Sequence, residues 1–151
     1  MRRATKWEAR MLAEAALWAS NSKDPSTQVG AVIYDPDRYT VVTTGYNGFP
    51  RGVSDSLELY TDKSRKYPRI VHAELNAIVD AAYQGKSTAN KHLAITHHPC
   101  SDCAGAIIQA GIKHIIYKAS NDRMERHNSE EASILFEEAR IRVEELFIKE
   151  I

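Results

Sequence analysis

The segment His97-His98-Pro99-Cys100-Ser101-Asp102-Cys103 determines how the rest of this chain is interpreted. It contains the only two cysteines among the 151 residues, three positions apart and directly after a proline. A second segment upstream, Val71-His72-Ala73-Glu74, places a histidine two residues before a glutamate. We predict that each segment begins a helix. Cys100 and Cys103 would then be one helical turn apart, with both thiols on the same side of the helix.

The three side chains His72, Cys100 and Cys103 form a typical metal-binding set. Two thiols and one imidazole supply three ligands to zinc and leave the fourth position for water, which is the arrangement of catalytic rather than structural zinc. The N–H groups at a helix start favour the thiolate, the form that binds metal. Glu74 lies near this set without belonging to it, and we predict that it transfers protons.

Other interpretations of these residues remain open. A Cys-x-x-Cys pair alone also fits a thioredoxin-like redox pair or half of a structural zinc knuckle. The second cysteine pair of a knuckle is missing, and the His-x-Glu segment favours catalytic zinc. Because three ligands are already in hand, we predict that His97 and His98 pack at a strand end or contact substrate. The remaining histidines are predicted to be surface or packing residues: His92, His114 and His127.

Length and composition narrow the class of protein. The chain is long enough for one domain, predicted over residues 1–151, with a real core. Twenty basic side chains balance twenty acidic ones, so nothing in the global charge indicates a nucleic-acid polymer or a membrane surface as partner. No stretch approaches the about 18 apolar residues of a membrane helix. Two closely spaced cysteines in a chain without a signal pattern favour a cytoplasmic protein.

Hydrophobic periodicity predicts helices alternating with strands, and therefore an α/β fold with helices on the faces of a mixed sheet. The predicted helices cover 7–20, 72–83, 101–110 and a segment from 129 to about 139, and the predicted strands cover 29–34, 39–44, 92–96 and 112–118. Residues 141–147 form a last strand or continue the helix, and residues 53–70 form a polar surface connection with one short helix. The predicted buried face of the second helix consists of Leu75, Ile78, Val79 and Ala82. Residues 45–52, with three glycines and a proline, are predicted to form an ordered binding loop.

These motifs resemble the deoxycytidylate (dCMP) deaminases of the cytidine deaminase superfamily, over nearly the whole chain from Trp7 to Leu146. H-x-E…P-C-x-x-C is the signature of zinc-dependent nucleobase deaminases. The Gly-Tyr-Asn-Gly sequence distinguishes dCMP deaminases from the tRNA adenosine and riboflavin-pathway deaminases. The resemblance rests on four segments: Asp24-Pro25-Ser26-Thr27-Gln28-Val29-Gly30-Ala31, Gly45-Tyr46-Asn47-Gly48-Phe49-Pro50-Arg51-Gly52, His72-Ala73-Glu74-Leu75-Asn76-Ala77-Ile78 and Pro99-Cys100-Ser101-Asp102-Cys103-Ala104.

The resemblance implies a three-layer α/β/α fold with a five-stranded mixed sheet and one catalytic zinc per chain. It also implies the site residues: zinc on His72, Cys100 and Cys103, proton transfer by Glu74, the deoxyribose at Asn47, the base at the backbone of Ala73, and the phosphate near Ser26. The reaction is the hydrolysis of dCMP to dUMP and ammonia. Deamination of another cytosine nucleotide such as dCTP, or a zinc nucleotide sensor without turnover, are the alternatives.

In regulated members of the family, the Gly-Tyr-Asn-Gly loop also lines a second nucleotide site. There dCTP with Mg²⁺ activates and dTTP inhibits, and such members are usually hexamers. The candidate effector residues are therefore Gly45, Tyr46, Asn47, Gly48, Phe49, Pro50, Arg51 and Gly52, with Arg51 available to phosphate.

Two departures from the family pattern affect the phosphate site. Some relatives place an arginine late in the helix after His72, where Tyr83 stands here, and a tyrosine in the loop after the fourth strand. The corresponding loop, residues 121–128, has no tyrosine. We hypothesise that Arg123 or Arg126 supplies the phosphate contact, because guanidinium pairs well with phosphate. The alternative is that both are solvated surface side chains.

Overall fold

A computed structural model describes residues 1–119 and 128–149 as a five-stranded mixed sheet flanked by helices. Its elements are α1 (Lys6–Ala19), β1 (Gly30–Tyr34), β2 (Val41–Tyr46), α2 (Leu57–Thr61), α3 (Lys63–Lys66), α4 (Ala73–Gln84), β3 (His92–Ile95), α5 (Ser101–Gln109), β4 (His114–Lys118), α6 (Ser129–Glu138) and β5 (Arg142–Leu146). The strand order is β2-β1-β3-β4-β5. Strand β1 runs antiparallel to β2 and β3, whereas β3, β4 and β5 are parallel. The predicted sheet is confirmed.

Helices cover both faces of the sheet, as predicted. All five residues of β1 are buried, and they alternate between the two faces because successive side chains of a strand point in opposite directions. Val32 and Tyr34 pack with residues of α1, whereas Ala31 and Ile33 belong to the cluster formed with α4, α5 and α6. The described helices include none that is both long and apolar enough to cross a membrane.

Of the two alternatives for residues 141–147, the structure has the strand: β5 pairs with β4. Two local predictions differ from the structure. Residues 53–70 contain two short helices, α2 and α3, instead of one. Strand β2 continues through Gly45 and Tyr46, which had been assigned to the loop.

The buried face of α4 is also different from the prediction. Its fully buried residues include Ala73, Ala77 and Ala81, while Val79 is 48% exposed. The reason is the close approach of α4 to β2: a Cβ atom at Gly45 would lie 2.3 Å from the carbonyl oxygen of Ala73. Only small side chains fit such a contact, so alanines form the centre of the buried face, while Ile78 packs against the core from its margin as predicted and Val79 is exposed.

The first residues of β3 and β4 form a polar cluster. It lies at the N-terminal ends of these strands, whereas the metal-site candidates follow the C-terminal end of β3. The rings of His92 and His114 lie edge to face, with centroids 4.9 Å apart and Nδ1 atoms 3.4 Å apart. Nε2 of His114 lies 2.8 Å from a carboxylate oxygen of Glu144. Burial and the neighbouring His114 lower the pKa of His92 to about 4. Burial and the charge of Arg142 lower the pKa of His114.

Acidification from about pH 7 to about pH 5 is expected to destabilise the fold through this cluster. Because the native pKa of His92 lies below its ordinary value of 6.5, the unfolded chain binds more protons below that pH. The free energy of unfolding therefore falls as the pH falls. Glu8 and Glu144 have lowered pKa values and contribute losses only below their ordinary value of 4.5. We expect the melting temperature of the His92→Asn variant to depend less on pH in this window than that of the wild type, and equal slopes would contradict the assignment.

Candidate active site

Two helix starts bring the predicted metal ligands together. His72 is the N-cap of α4 and Cys100 is the N-cap of α5, both with extended backbone, and neither side chain caps its own helix. Cys103 lies one turn along α5 from Cys100. His72 is far from the two cysteines in sequence. The N-termini of α4 and α5 pack against each other, and this packing brings the three side chains together.

The geometry of these three side chains fits a zinc ion. Nδ1 of His72 lies 3.4 Å from Sγ of Cys100 and 3.3 Å from Sγ of Cys103. The ligand atoms of all three lie within 4.8 Å of one another. With Zn–S and Zn–N bonds of about 2.3 and 2.0 Å, a tetrahedral site separates N and S ligands by about 3.5 Å. The donor set and its spacing are therefore those of a zinc site with one further position.

The surroundings of the Cys100 thiol favour its metal-binding form. The pKa of Cys100 is lowered to about 3 by its hydrogen bond with Cys103 and by His72, against the opposing effect of burial. Both cysteines are buried and neither forms a disulfide. At neutral pH the Cys100 side chain is therefore a thiolate, which is the metal-binding form.

Glu74 and Ala73 follow His72 in the first turn of α4, and both are fully buried. A carboxyl group without exposed surface and two residues from a metal ligand is typical of a proton-transfer group rather than of a solvating surface charge.

Asn47 lies across from His72. A β-bridge joins Gly48 to Val71, with N···O distances of 3.1 and 2.8 Å, so the residues next to them also face each other. Asn47 is 5% exposed. Its Oδ1 accepts a hydrogen bond of 2.8 Å from the backbone N–H of Val29, and this contact holds the loop before β1 beside the site.

The sequence of residues 5–119 matches the family model of the cytidine and deoxycytidylate deaminase zinc-binding region. The chain belongs to this family. It is 44% identical over 111 residues to an uncharacterized deaminase of Aliivibrio fischeri, covering 74% of this chain and 71% of the relative. It is 39% identical over 133 residues to the deoxycytidylate deaminase of Mus musculus, covering 85% of this chain and 71% of the relative.

A solved structure agrees with the family assignment. The dCMP deaminase of the cyanophage S-TIM5, crystallised in complex with dCMP and dUMP, superimposes with a TM-score of 0.76 at 26% identity. The alignment covers 96% of this chain and 100% of the phage chain. The present chain is thus an enzyme of the deaminase class, and its family supports zinc in the His/Cys/Cys cluster.

A charged residue of this deaminase that the sequence did not single out contacts the loop before β1. Lys66, at the end of α3, places its Nζ atom 2.7 Å from a carboxylate oxygen of Asp24 and 3.1 Å from the hydroxyl of Ser26. The polar stretch around Lys66 has no periodicity, so no sequence signal could have separated this lysine from a solvated one.

His97 and His98 contact their neighbours in the way predicted for packing at a strand end. Nδ1 of His97 lies 3.0 Å from the hydroxyl of Thr96. Nε2 of His98 lies 3.3 Å from the hydroxyl of Ser133 in α6, and its ring lies edge-on to Tyr117. The loop that carries Cys100 is therefore tied to α6 and β4.

The predicted effector loop lines a cavity of about 730 Å³ on the exposed side of α4. The residues of the loop and the end of β2 that line it are Gly45, Tyr46, Gly48, Phe49, Pro50 and Arg51. Helix α4 contributes Leu75, Val79, Asp80 and Tyr83 among others. Asn47 and Gly52 are not among the residues that line this cavity, and neither are His72, Cys100 and Cys103.

Two of the predicted residues cannot be placed. Arg123 and Arg126, the hypothesised phosphate contacts, lie outside the described residues, and so does His127. Their roles stay predictions.

Proposed function

We propose that this deaminase hydrolyses the 4-amino group of dCMP, giving dUMP and ammonia. The observation that carries the proposal is the cluster of His72, Cys100 and Cys103 beside the buried Glu74, in a chain whose relatives include named deoxycytidylate deaminases. The phage enzyme with a superimposable fold binds both the substrate and the product of this reaction.

In the proposed mechanism His72, Cys100 and Cys103 would hold one zinc ion per chain. Zinc, when bound, supplies Lewis-acid activation of water at neutral pH. Glu74 accepts a proton from that water and delivers it to N3 of the pyrimidine ring while oxygen adds to C4. Glu74 then passes the second proton to the 4-amino nitrogen, so that ammonia rather than an amide ion leaves.

The substrate is positioned by residues around this centre. We assign the deoxyribose to Asn47, the base to the backbone of Ala73, and the phosphate to the loop of Ser26, with Arg123 or Arg126 as further phosphate contacts. The position of Asn47 across from His72 supports the first of these assignments. A buried site of this kind, made of side chains from several elements, suits a single nucleotide better than a polynucleotide strand.

We assign the cavity beside α4 to nucleotide effectors, dCTP as activator and dTTP as inhibitor, with the triphosphate carried as its Mg²⁺ complex. Its volume is within the about 300–1,000 Å³ common for small-molecule sites. The guanidinium of Arg51 lies over the ring of Tyr83 at its rim.

Val79 and Tyr83 on the same side of α4 are 48% and 82% exposed, which supports a homo-oligomer, expected to be a hexamer, that covers this face. The proposed location in the cell is the cytoplasm.

Ammonia release from a panel of dCMP, dCTP, CMP and deoxycytidine tests the proposal, with zinc content measured on the same sample. The expected result is the highest kcat/KM for dCMP and one zinc per chain. A higher kcat/KM for dCTP would identify dCTP as the substrate in place of dCMP. Nucleotide binding without ammonia release would indicate a sensor. The same assay with dCTP or dTTP added tests the effector assignment, which fails if neither nucleotide changes the rate.

A further inference from the structure

Lys66 is held in an unusual position for a lysine. Its side chain is only 12% exposed, and its ammonium group forms an ion pair of 2.7 Å with Asp24, which is itself 3% exposed. The same ammonium lies 3.1 Å from the hydroxyl oxygen of Ser26. A strongly hydrated cation is costly to bury, so the position of the Lys66 ammonium group against Asp24 and Ser26 requires an explanation.

Both hydrogen-bond donors of Ser26 are used by Asp24, so Lys66 is the group in this cluster that can bind an anion. The backbone N–H and the hydroxyl of Ser26 both donate to the same carboxylate oxygen of Asp24, each at 2.9 Å. With its own proton donated to Asp24, the hydroxyl acts as acceptor towards Lys66. An ammonium group has three N–H bonds, and those to Asp24 and Ser26 account for two. The third can be donated to a phosphate oxygen.

The cluster is joined directly to the proposed substrate site. Nδ2 of Asn47 lies 3.4 Å from the Asp24 carboxylate. Asn47 faces His72 across the bridge between Gly48 and Val71. A chain of contacts therefore leads from the neighbourhood of the metal ligand His72 through Asn47 and Asp24 to Lys66. With the base at the metal site and the sugar at Asn47, we expect the phosphate at the Lys66 end of this chain.

From this arrangement we infer that Lys66 binds the 5′-phosphate of the nucleotide substrate, with Asp24 and Ser26 positioning its ammonium group. The inference rests on the proposed function. It makes Lys66 a residue that discriminates a nucleotide from a nucleoside. A purely structural Lys66 would only neutralise the buried charge of Asp24, and its loss would then affect nucleotide and nucleoside equally.

Binding of dUMP and deoxyuridine, measured by calorimetry for the holoenzyme, separates the two roles. In the Lys66→Met variant, which keeps the length of the side chain, we expect the Kd for dUMP to rise about ten- to hundredfold, the usual loss for one charge-assisted hydrogen bond. The Kd for deoxyuridine should stay within about twofold of the wild-type value. Lys66→Arg should restore part of the affinity for dUMP. If the single variant folds poorly, the Asp24→Asn/Lys66→Met double variant removes both charges and gives the same comparison.

Lys23→Met is the matched control, because the ammonium group of Lys23 forms an exposed ion pair with Asp55, whereas that of Lys66 pairs with Asp24. It should bind both ligands as the wild type does. Equal losses for dUMP and deoxyuridine, or unchanged dUMP affinity in Lys66→Met, would overturn the inference while dCMP turnover by the wild type still supported the proposed function. A wild type that neither binds dUMP nor deaminates dCMP would overturn both.

Discussion

The Glu74→Gln variant is expected to lose about 10²- to 10⁴-fold in kcat for dCMP, the usual contribution of a general acid–base group. Glutamine has nearly the shape of glutamate, so the fully buried position in the first turn of α4 is filled without a cavity. It cannot accept a proton, however, and the reaction requires two proton transfers at this position. Steady-state kinetics should therefore show a lower kcat with a nearly unchanged KM.

Two further variants define that experiment. Glu131→Gln changes an exposed glutamate in the first turn of another helix, α6, and should leave kcat unchanged. Glu74→Asp keeps the carboxylate but shortens its reach, so its kcat should fall between those of the wild type and Glu74→Gln. Zinc content is measured for all of them. Wild-type kcat in Glu74→Gln with full zinc content would remove Glu74 from the mechanism.

Sequence alone predicted the site well because metal chemistry restricts both residue type and spacing. Cys100 and Cys103 can serve one ion only if one turn of helix brings their thiols to the same side. A histidine two residues before a glutamate at another helix start supplied the third member of the cluster and the candidate proton-transfer group. The alternation of strands and helices in the second half likewise predicted the sheet, because each such element must bury one face.

The sequence could not predict features that depend on how closely two elements approach each other. The apolar spacing of Leu75 and Val79 correctly indicated a helix, but not which side of it the sheet would cover. Gly45 brings α4 so close to β2 that the alanines form the buried face instead. The ion pair of Lys66 with Asp24 is a second example, since the partners are far apart in sequence and no local pattern connects them.

The largest loss is expected for Cys100→Ser, in which zinc content falls from one per chain to near zero and dCMP turnover falls at least as far as in Glu74→Gln. Serine is a preferred N-cap residue, and Cys100 occupies the N-cap of α5 without capping it, so the helix should be retained or slightly stabilised. The loss then reports on the metal rather than on the fold.

Metal analysis and circular dichroism of the same preparation check this prediction, with Ser101→Ala, one residue further on, as the matched control that leaves all three ligands in place. A redox role for the Cys-x-x-Cys pair makes the opposite prediction for the wild type. A redox enzyme would keep its activity after treatment with a strong chelator, whereas the deaminase should lose activity and regain it when zinc is returned. Only the second result agrees with an imidazole nitrogen 3.3 and 3.4 Å from the two sulfur atoms, which is the N–S separation of a tetrahedral zinc site and which a dithiol that exchanges electrons does not require.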